Sequence, residues 1–128
     1  MKGNSEIAKA KKKVLIVDDE RAILTVLGIK LKVSGYDVVT ASSGEEALAL
    51  VRSARPDLML LDVIMPGMDG FQVLEKVRAA SDLPVIVFSA RPENGEKALS
   101  LGANDFLAKP MDVDEMVRRI QTFVNHDN

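Results

Sequence analysis

Cysteine and tryptophan are absent from the chain, histidine occurs once, and aromatic residues make up only 4% of its 128 positions. Without cysteine there is no disulfide scaffold, no thiolate metal site and no cysteine nucleophile, and a reducing compartment is compatible. No apolar run approaches the ~18 residues of a membrane-spanning helix. The opening MKGNSEIAKAKKK is basic but has no apolar centre of the signal-peptide kind. Lys and Arg number 17 against 19 Asp and Glu, a net charge of −2, so no basic excess points to nucleic acid.

What the chain does have is 47% hydrophobic residues, and at this length that is enough to bury a core in one domain. Its apolar runs alternate with segments of helical period. KVLIV at 13–17 is apolar without alternation and rich in β-branched residues, the signature of a strand covered on both faces. Residues 20–34 carry Ile23, Leu24, Leu27 and Leu31 at helical spacing, and Gly35 follows as a left-handed stop. The pattern repeats, with strands predicted at 36–41, 57–61, 84–89 and 105–108 and helices at 44–54, 70–80, 94–101 and 113–125. Ser43 with Glu46, and Asp112 with Glu115, have capping-box spacing. Such β-α alternation with short connections implies an α/β fold, a parallel sheet with helices on both faces. The folded domain is expected over 12–125, between a flexible basic tail at 1–11 and a short tail at 126–128. Lys11, Lys12 and Lys13 close the basic segment and read as solvated charges.

In VLIVDDER, starting at Val14, four apolar residues run straight into two adjacent carboxylates, Asp18 and Asp19. Sheets of this kind bind ligands beyond the carboxyl ends of their strands, where the strand order reverses. Asp18 and Asp19 leave the first strand, Asp62 leaves the third, Ser89 ends the fourth and Lys109 follows the fifth, so all five share one rim. If the first and third strands are neighbours, three carboxylates meet in a small space. Like charges that close raise one another's pKa unless positive charge sits among them. Lys109 supplies one such charge, and a divalent cation would supply more. With oxygen ligands alone, Mg²⁺ or Mn²⁺ is favoured over zinc. Each residue alone also has an ordinary role. Asp18 or Asp19 would serve as a helix N-cap, Asp62 as a turn residue, Ser89 as a strand end and Lys109 as a surface charge. Their joint placement is what points to a site.

VDDE, LLDVIMPGMDGF, PVIVFSA and GANDFLAKP together resemble the receiver domain of two-component response regulators, over about residues 12–123. The resemblance implies a (βα)5 flavodoxin-like three-layer sandwich with strands in the order 2-1-3-4-5. It implies Asp62 as phosphoacceptor, charged from the phosphohistidine of a sensor histidine kinase or phosphotransfer protein. Asp19, Asp62 and the backbone carbonyl of Ile64 would bind Mg²⁺ directly, with Asp18 acting through water. Ser89 would hydrogen-bond one phosphoryl oxygen and Lys109 would pair with another. Lys109-Pro110 matches the family's cis peptide, and X-Pro is the bond type in which cis costs little. Ser89 and Phe106 would form the switch, Ser89 moving toward the phosphoryl group and Phe106 turning inward, to control a downstream protein target. Ile64 and Arg91 lie where the family controls access to the phosphoryl group. An apolar Ile64 is expected to hinder attacking water and prolong the phosphorylated state.

The stretch between Ser89 and Lys109 is shorter than the family pattern and holds Pro92 and Gly95, both poor helix formers, so the fourth helix is expected to be short or shifted. The single histidine, His126, falls in the terminal tail, so the phosphoryl donor is expected from outside the chain. Other classes of function fit less well. An Mg²⁺-dependent aspartyl-phosphate phosphatase or phosphotransferase would want a second carboxylate where Ile64 stands. An FMN carrier would want Ser, Thr and Gly donors after the first strand, where Asp18, Asp19 and Glu20 would instead repel a phosphate. A phosphate-independent scaffold has no use for the full set of five rim residues. The expectation is a cytoplasmic signalling phosphoprotein that catalyses only its own phosphorylation and dephosphorylation. It would make no direct contact with nucleic acid or membrane. It reads either as a stand-alone receiver or as a piece of a larger regulator or hybrid kinase.

Overall fold

The apolar runs pair with one another in parallel, and the helical segments cover them. A computed structural model describes residues 11–124 of the chain. The elements are β1 (Lys13–Val17), α1 (Arg21–Val33), β2 (Asp37–Ala41), α2 (Gly44–Ala54), β3 (Leu58–Asp62), α3 (Gly70–Ala80), β4 (Val85–Ser89), α4 (Asn94–Ser100), β5 (Asp105–Ala108) and α5 (Val113–Val124). The sheet order is β2-β1-β3-β4-β5, with every neighbouring pair parallel. This is the flavodoxin-like arrangement that the resemblance implied.

Strand residues alternate between two cores, because successive side chains leave opposite faces of a pleated sheet. Val14, Ile16, Leu58, Leu60, Ile86 and Phe88 pack with Leu27 and Leu31 of α1 and with Met116 and Ile120 of α5. Leu15, Val17, Met59, Leu61, Val85 and Val87 pack with Ala47 of α2, Val73, Leu74 and Val77 of α3, and Ala98 of α4. Both faces are therefore covered, which is why β1, β3 and β4 read as unbroken apolar runs. Among the described residues, no helix is long and apolar enough to cross a membrane.

The strands at 13–17 and 105–108 and the helices at 44–54 and 70–80 match the predicted bounds, and the other elements differ by one residue at one or both ends, as frayed ends generally do. The expected tail at 1–11 and the tail at 126–128, with His126, lie outside the described residues except for Lys11, as does Asn125 of the predicted last helix. Lys13 is not a tail lysine. It opens β1, its N–H donates to the Asp57 carboxylate (2.8 Å) and its ammonium donates to the Ala54 carbonyl at the end of α2 (2.8 Å). Gly35 does stop α1 in the left-handed region, at φ 102°, which a side chain would strain.

The capping expectations are corrected in detail. Ser43 accepts from the Glu46 N–H, but the Glu46 carboxylate accepts from Ser42 rather than closing a box on Ser43. Glu115 is drawn away from the start of α5 by Arg118 and Arg119, while Asp112 accepts the Asp114 N–H. The reciprocal box occurs at Asp69 and Gln72, at the start of α3. The predicted short fourth helix is present, as the seven residues of α4.

Candidate functional site

The sheet order places the ends of β1, β3, β4 and β5 side by side, with β1 at the point where the order reverses. A common local device aims the side chains at three of these ends. Asp18 accepts the N–H of Glu20 (2.8 Å), Asp62 that of Ile64 (2.9 Å) and Ser89 that of Arg91 (3.1 Å). In each case a short polar side chain bonds the backbone two residues ahead and so fixes the turn that leaves the strand. The ordinary turn role of Asp62 and its role on the rim thus coexist. Neither Asp18 nor Asp19 is the N-cap of α1, which is Glu20.

Asp18, Asp19 and Asp62 each offer a carboxylate oxygen within 4.8 Å of the other two. Asp18 and Asp62 are buried, whereas Asp19 is exposed and opens the cluster to solvent. Lys109 reaches the cluster from beyond β5. Its ammonium lies 2.9 Å from Asp18 Oδ2 and 3.2 Å from Asp62 Oδ2. The Lys109 N–H donates to the Ser89 carbonyl (2.7 Å), extending the β4–β5 ladder to the lysine itself. The Lys109-Pro110 peptide is cis, as the resemblance implied. Sequence reasoning missed Phe88, whose buried ring lies under the ammonium at 4.7 Å. Its place in an apolar run marks it only as core.

Burial raises the pKa of Asp62, and the neighbouring Asp18 charge adds to the effect, while the Ile64 N–H and Lys109 oppose it. Burial works against the charge of Lys109, but its bond to Asp18 and the charges of Asp62 and Asp18 win, and its pKa is raised. Three carboxylates facing one ammonium leave negative charge uncompensated. An all-oxygen donor set of that charge suits a hard divalent cation.

Gly70, the first residue of α3, sets the approach of that helix to the site. A Cβ there would fall 2.3 Å from Val63 Cα and 2.7 Å from the Asp62 carbonyl oxygen. Only a glycine lets α3 begin directly against the backbone that follows Asp62.

The remaining predicted residues surround the cluster rather than join it. The Ser89 hydroxyl bonds the Arg91 N–H and the side chain of Asn94, a residue without a periodicity signal that would have singled it out. Phe106 lies in β5 opposite Val87, partly buried against the α2–α3–α4 core. Ile64 is 43% exposed beside Asp62, and Arg91 is exposed.

Comparison with known proteins follows the same lines. Residues 14–121 match the family profile of the response regulator receiver domain. The chain is 42% identical over 122 residues to the probable transcriptional regulator ycf27 of Guillardia theta, covering 94% of this chain and 48% of that protein. It therefore spans about half the length of the curated relatives it matches. Among solved structures, the Francisella response regulator 1452 receiver domain superposes with a TM-score of 0.86 at 32% identity, covering 92% of this chain and all of that one. The Thermotoga maritima response regulator TrrA, solved in complex with Mg²⁺-BeF, gives a TM-score of 0.82 at 32% identity, with 88% and 99% covered.

Proposed function

The chain belongs to the receiver domains of two-component response regulators, and on that premise we propose that Asp62 is its phosphoacceptor. The observation that carries the reading is the convergence of Asp18, Asp19 and Lys109 on the buried Asp62 carboxylate. A carboxylate oxygen of Asp62 attacks the phosphorus of a phosphohistidine on a sensor kinase or phosphotransfer protein. The new O–P bond forms as the N–P bond breaks, and the released imidazole takes up a proton from solvent. The product is an acyl phosphate on Asp62.

Phosphoryl transfer needs positioning and charge neutralisation more than covalent help from the protein. The Ile64 N–H holds one Asp62 oxygen in place. Lys109, already between Asp18 and Asp62, is set to pair with a phosphoryl oxygen. Ser89 offers a hydroxyl from the adjacent strand. Asp19 and Asp62, with the Ile64 carbonyl and with Asp18 through water, would hold Mg²⁺, and Mn²⁺ fits the same donors. When bound, the ion would supply positive charge to offset that of the carboxylates and the incoming phosphoryl group.

The domain acts as a switch, with Ser89 and Phe106 as its moving parts and a downstream protein as its target. The solved TrrA complex, with Mg²⁺-BeF bound, supports the cation assignment by likeness. With Ile64 two residues beyond the nucleophile, no second carboxylate is supplied for turnover on outside substrates. On this reading the domain catalyses only its own phosphorylation and dephosphorylation, and we assign it to the cytoplasm, where a phosphohistidine donor of a two-component system would meet it. Val26, Ile29 and Val33 leave apolar side chains exposed on α1, which starts beside Asp18 and Asp19, and this supports a protein as the donor.

The test is intact mass after incubation with acetyl phosphate and Mg²⁺. Wild type gains one phosphoryl group, and Asp62→Ala, or wild type without Mg²⁺, gains none. Uptake by Asp62→Ala would reject the assignment.

A further inference from the structure

A serine hydroxyl has two acceptor lone pairs and one donor hydrogen. At Ser89, which is fully buried, both acceptor positions are taken. The Arg91 N–H donates from 3.1 Å and the Asn94 side-chain amide donates from 3.1 Å. The hydroxyl is left with its own hydrogen to give. A donor is what a phosphoryl oxygen requires, so the two bonds prepare Ser89 for one direction of hydrogen bonding.

The Arg91 N–H belongs to the turn and is there whatever side chain follows. Asn94 contributes through its side chain, so this bond depends on which residue stands there. It is the first residue of α4, and its own N–H donates to the Arg91 carbonyl (3.0 Å). The next residue, Gly95, is buried against the switch aromatic. A Cβ at Gly95 would meet Phe106 Cδ2 at 3.0 Å and Cε2 at 3.3 Å, so the ring lies against bare helix backbone. Two adjacent residues in the first turn of α4 thus hold the two ends of the switch. One grips the Ser89 hydroxyl by its side chain and the other seats Phe106.

We propose that Asn94 is a positioning residue for the Ser89 hydroxyl and that, with Gly95, it couples that hydroxyl to the seat of Phe106. The inference rests on the reading of Asp62 as phosphoacceptor. When Ser89 moves toward a phosphoryl oxygen, the Asn94 bond is pulled with it, and the first turn of α4 shifts under the ring. The helix that carries both residues is only seven residues long.

Asn94→Asp tests the coupling, because it keeps the shape and turns the donor into an acceptor that draws the Ser89 proton to itself. Phosphorylation by acetyl phosphate is followed by intact mass in wild type, Asn94→Asp, Ser89→Ala and the double variant. Asn94→Asp is expected to slow the reaction about tenfold when Ser89 is present, the worth of one misdirected hydrogen bond to a charged group. In the Ser89→Ala background it is expected to change the rate less than about twofold. An equal factor in both backgrounds, or no slowing beside Ser89, overturns the proposal. If thermal melting finds Asn94→Asp unfolded, Asn94→Ala takes its place in the same cycle, with a slowing confined in the same way to the Ser89 background.

A second readout does not depend on phosphorylation. In NMR spectra of the unphosphorylated protein, Ser89→Ala shifts the Asn94 side-chain amide, and substitution of Asn94 shifts the Phe106 ring. Unchanged resonances overturn the coupling even where Asp62 accepts phosphate. A wild type that takes up no phosphoryl group overturns the phosphoacceptor reading, and the spectra then decide the Asn94 contact alone.

Discussion

Lys109 and Asp18 form an ion pair between opposite ends of the sequence, 2.9 Å apart, in which the carboxylate has no exposed side-chain surface. The same ammonium holds Asp62 at 3.2 Å. Removing one partner of a buried pair leaves an uncompensated charge, commonly at a cost of about 3–5 kcal/mol. Here the rim stays open to water through Asp19, so Lys109→Met is expected to destabilise by about 2–3 kcal/mol at neutral pH, below the sealed-pair range. Urea denaturation checks this. Adding Asp18→Asn to Lys109→Met is expected to recover much of the loss, and failure to recover it would place the cost in the lysine stem on Phe88 instead.

Asp62 gives the opposite sign. Its pKa is raised in the folded protein, chiefly by burial. A group whose folded pKa lies above its unfolded value stabilises most when protonated, and that contribution is lost as pH rises through the folded pKa. At neutral pH, then, the charged Asp62 works against the fold. In metal-free buffer, Asp62→Asn is expected to raise the melting temperature at pH 7, with the gain shrinking as the pH falls below the folded pKa toward the ordinary carboxylate range. Scanning calorimetry across that window decides it, and a gain independent of pH would assign the effect to something other than this carboxyl.

Gly70 has a steric reason to be glycine. An added Cβ would meet Val63 Cα at 2.3 Å, and backbone cannot rotate aside as a side-chain end can. Gly70→Ala is therefore expected to cost about 1–3 kcal/mol, the usual range for overpacking. Because the strain falls on the residue after Asp62, slower phosphoryl uptake is expected with it. Gly67→Ala, where no atom lies within 4 Å but φ is 81°, is the comparison. It strains the loop without pressing on Val63, and is expected to leave uptake closer to wild type.

The rim was legible because its residues sit at the ends of apolar runs. Four such ends and the rule that parallel sheets bind at their carboxyl edge bring Asp18, Asp19, Asp62, Ser89 and Lys109 to one side without knowledge of strand order. The order itself came from family resemblance, since β-α alternation alone does not fix which strands are neighbours. Asn94 and Phe88 were missed for opposite reasons. Asn94 stands in a stretch too short and too interrupted by Pro92 and Gly95 for a periodic signal, and its importance lies in a partner that only folding brings near. Phe88 has a strong signal, but for the core, and nothing in an apolar run says that one face of a ring will carry an ammonium. The box at Ser43 and Glu46 failed in its second half because Ser42 offers the Glu46 carboxylate both an N–H and a hydroxyl.

Ile64 tests whether exposure at the site has a function. Its backbone N–H, not its side chain, holds Asp62 in place. The side chain is not part of either core and stands 43% exposed. Substitution there is thus expected to leave stability within about 0.5 kcal/mol, as for other surface positions. If the apolar side chain obstructs water on its way to the acyl phosphate, Ile64→Asn is expected to shorten the phosphorylated lifetime several-fold, since an amide both removes the obstruction and offers hydrogen bonds to the incoming water. Phosphorylated protein is freed of donor by rapid desalting, and the decay is followed by intact mass. Equal lifetimes in wild type and variant would show that Ile64 only packs the loop. A shorter lifetime with unchanged urea stability would separate access from folding and make this residue a determinant of how long the signal lasts.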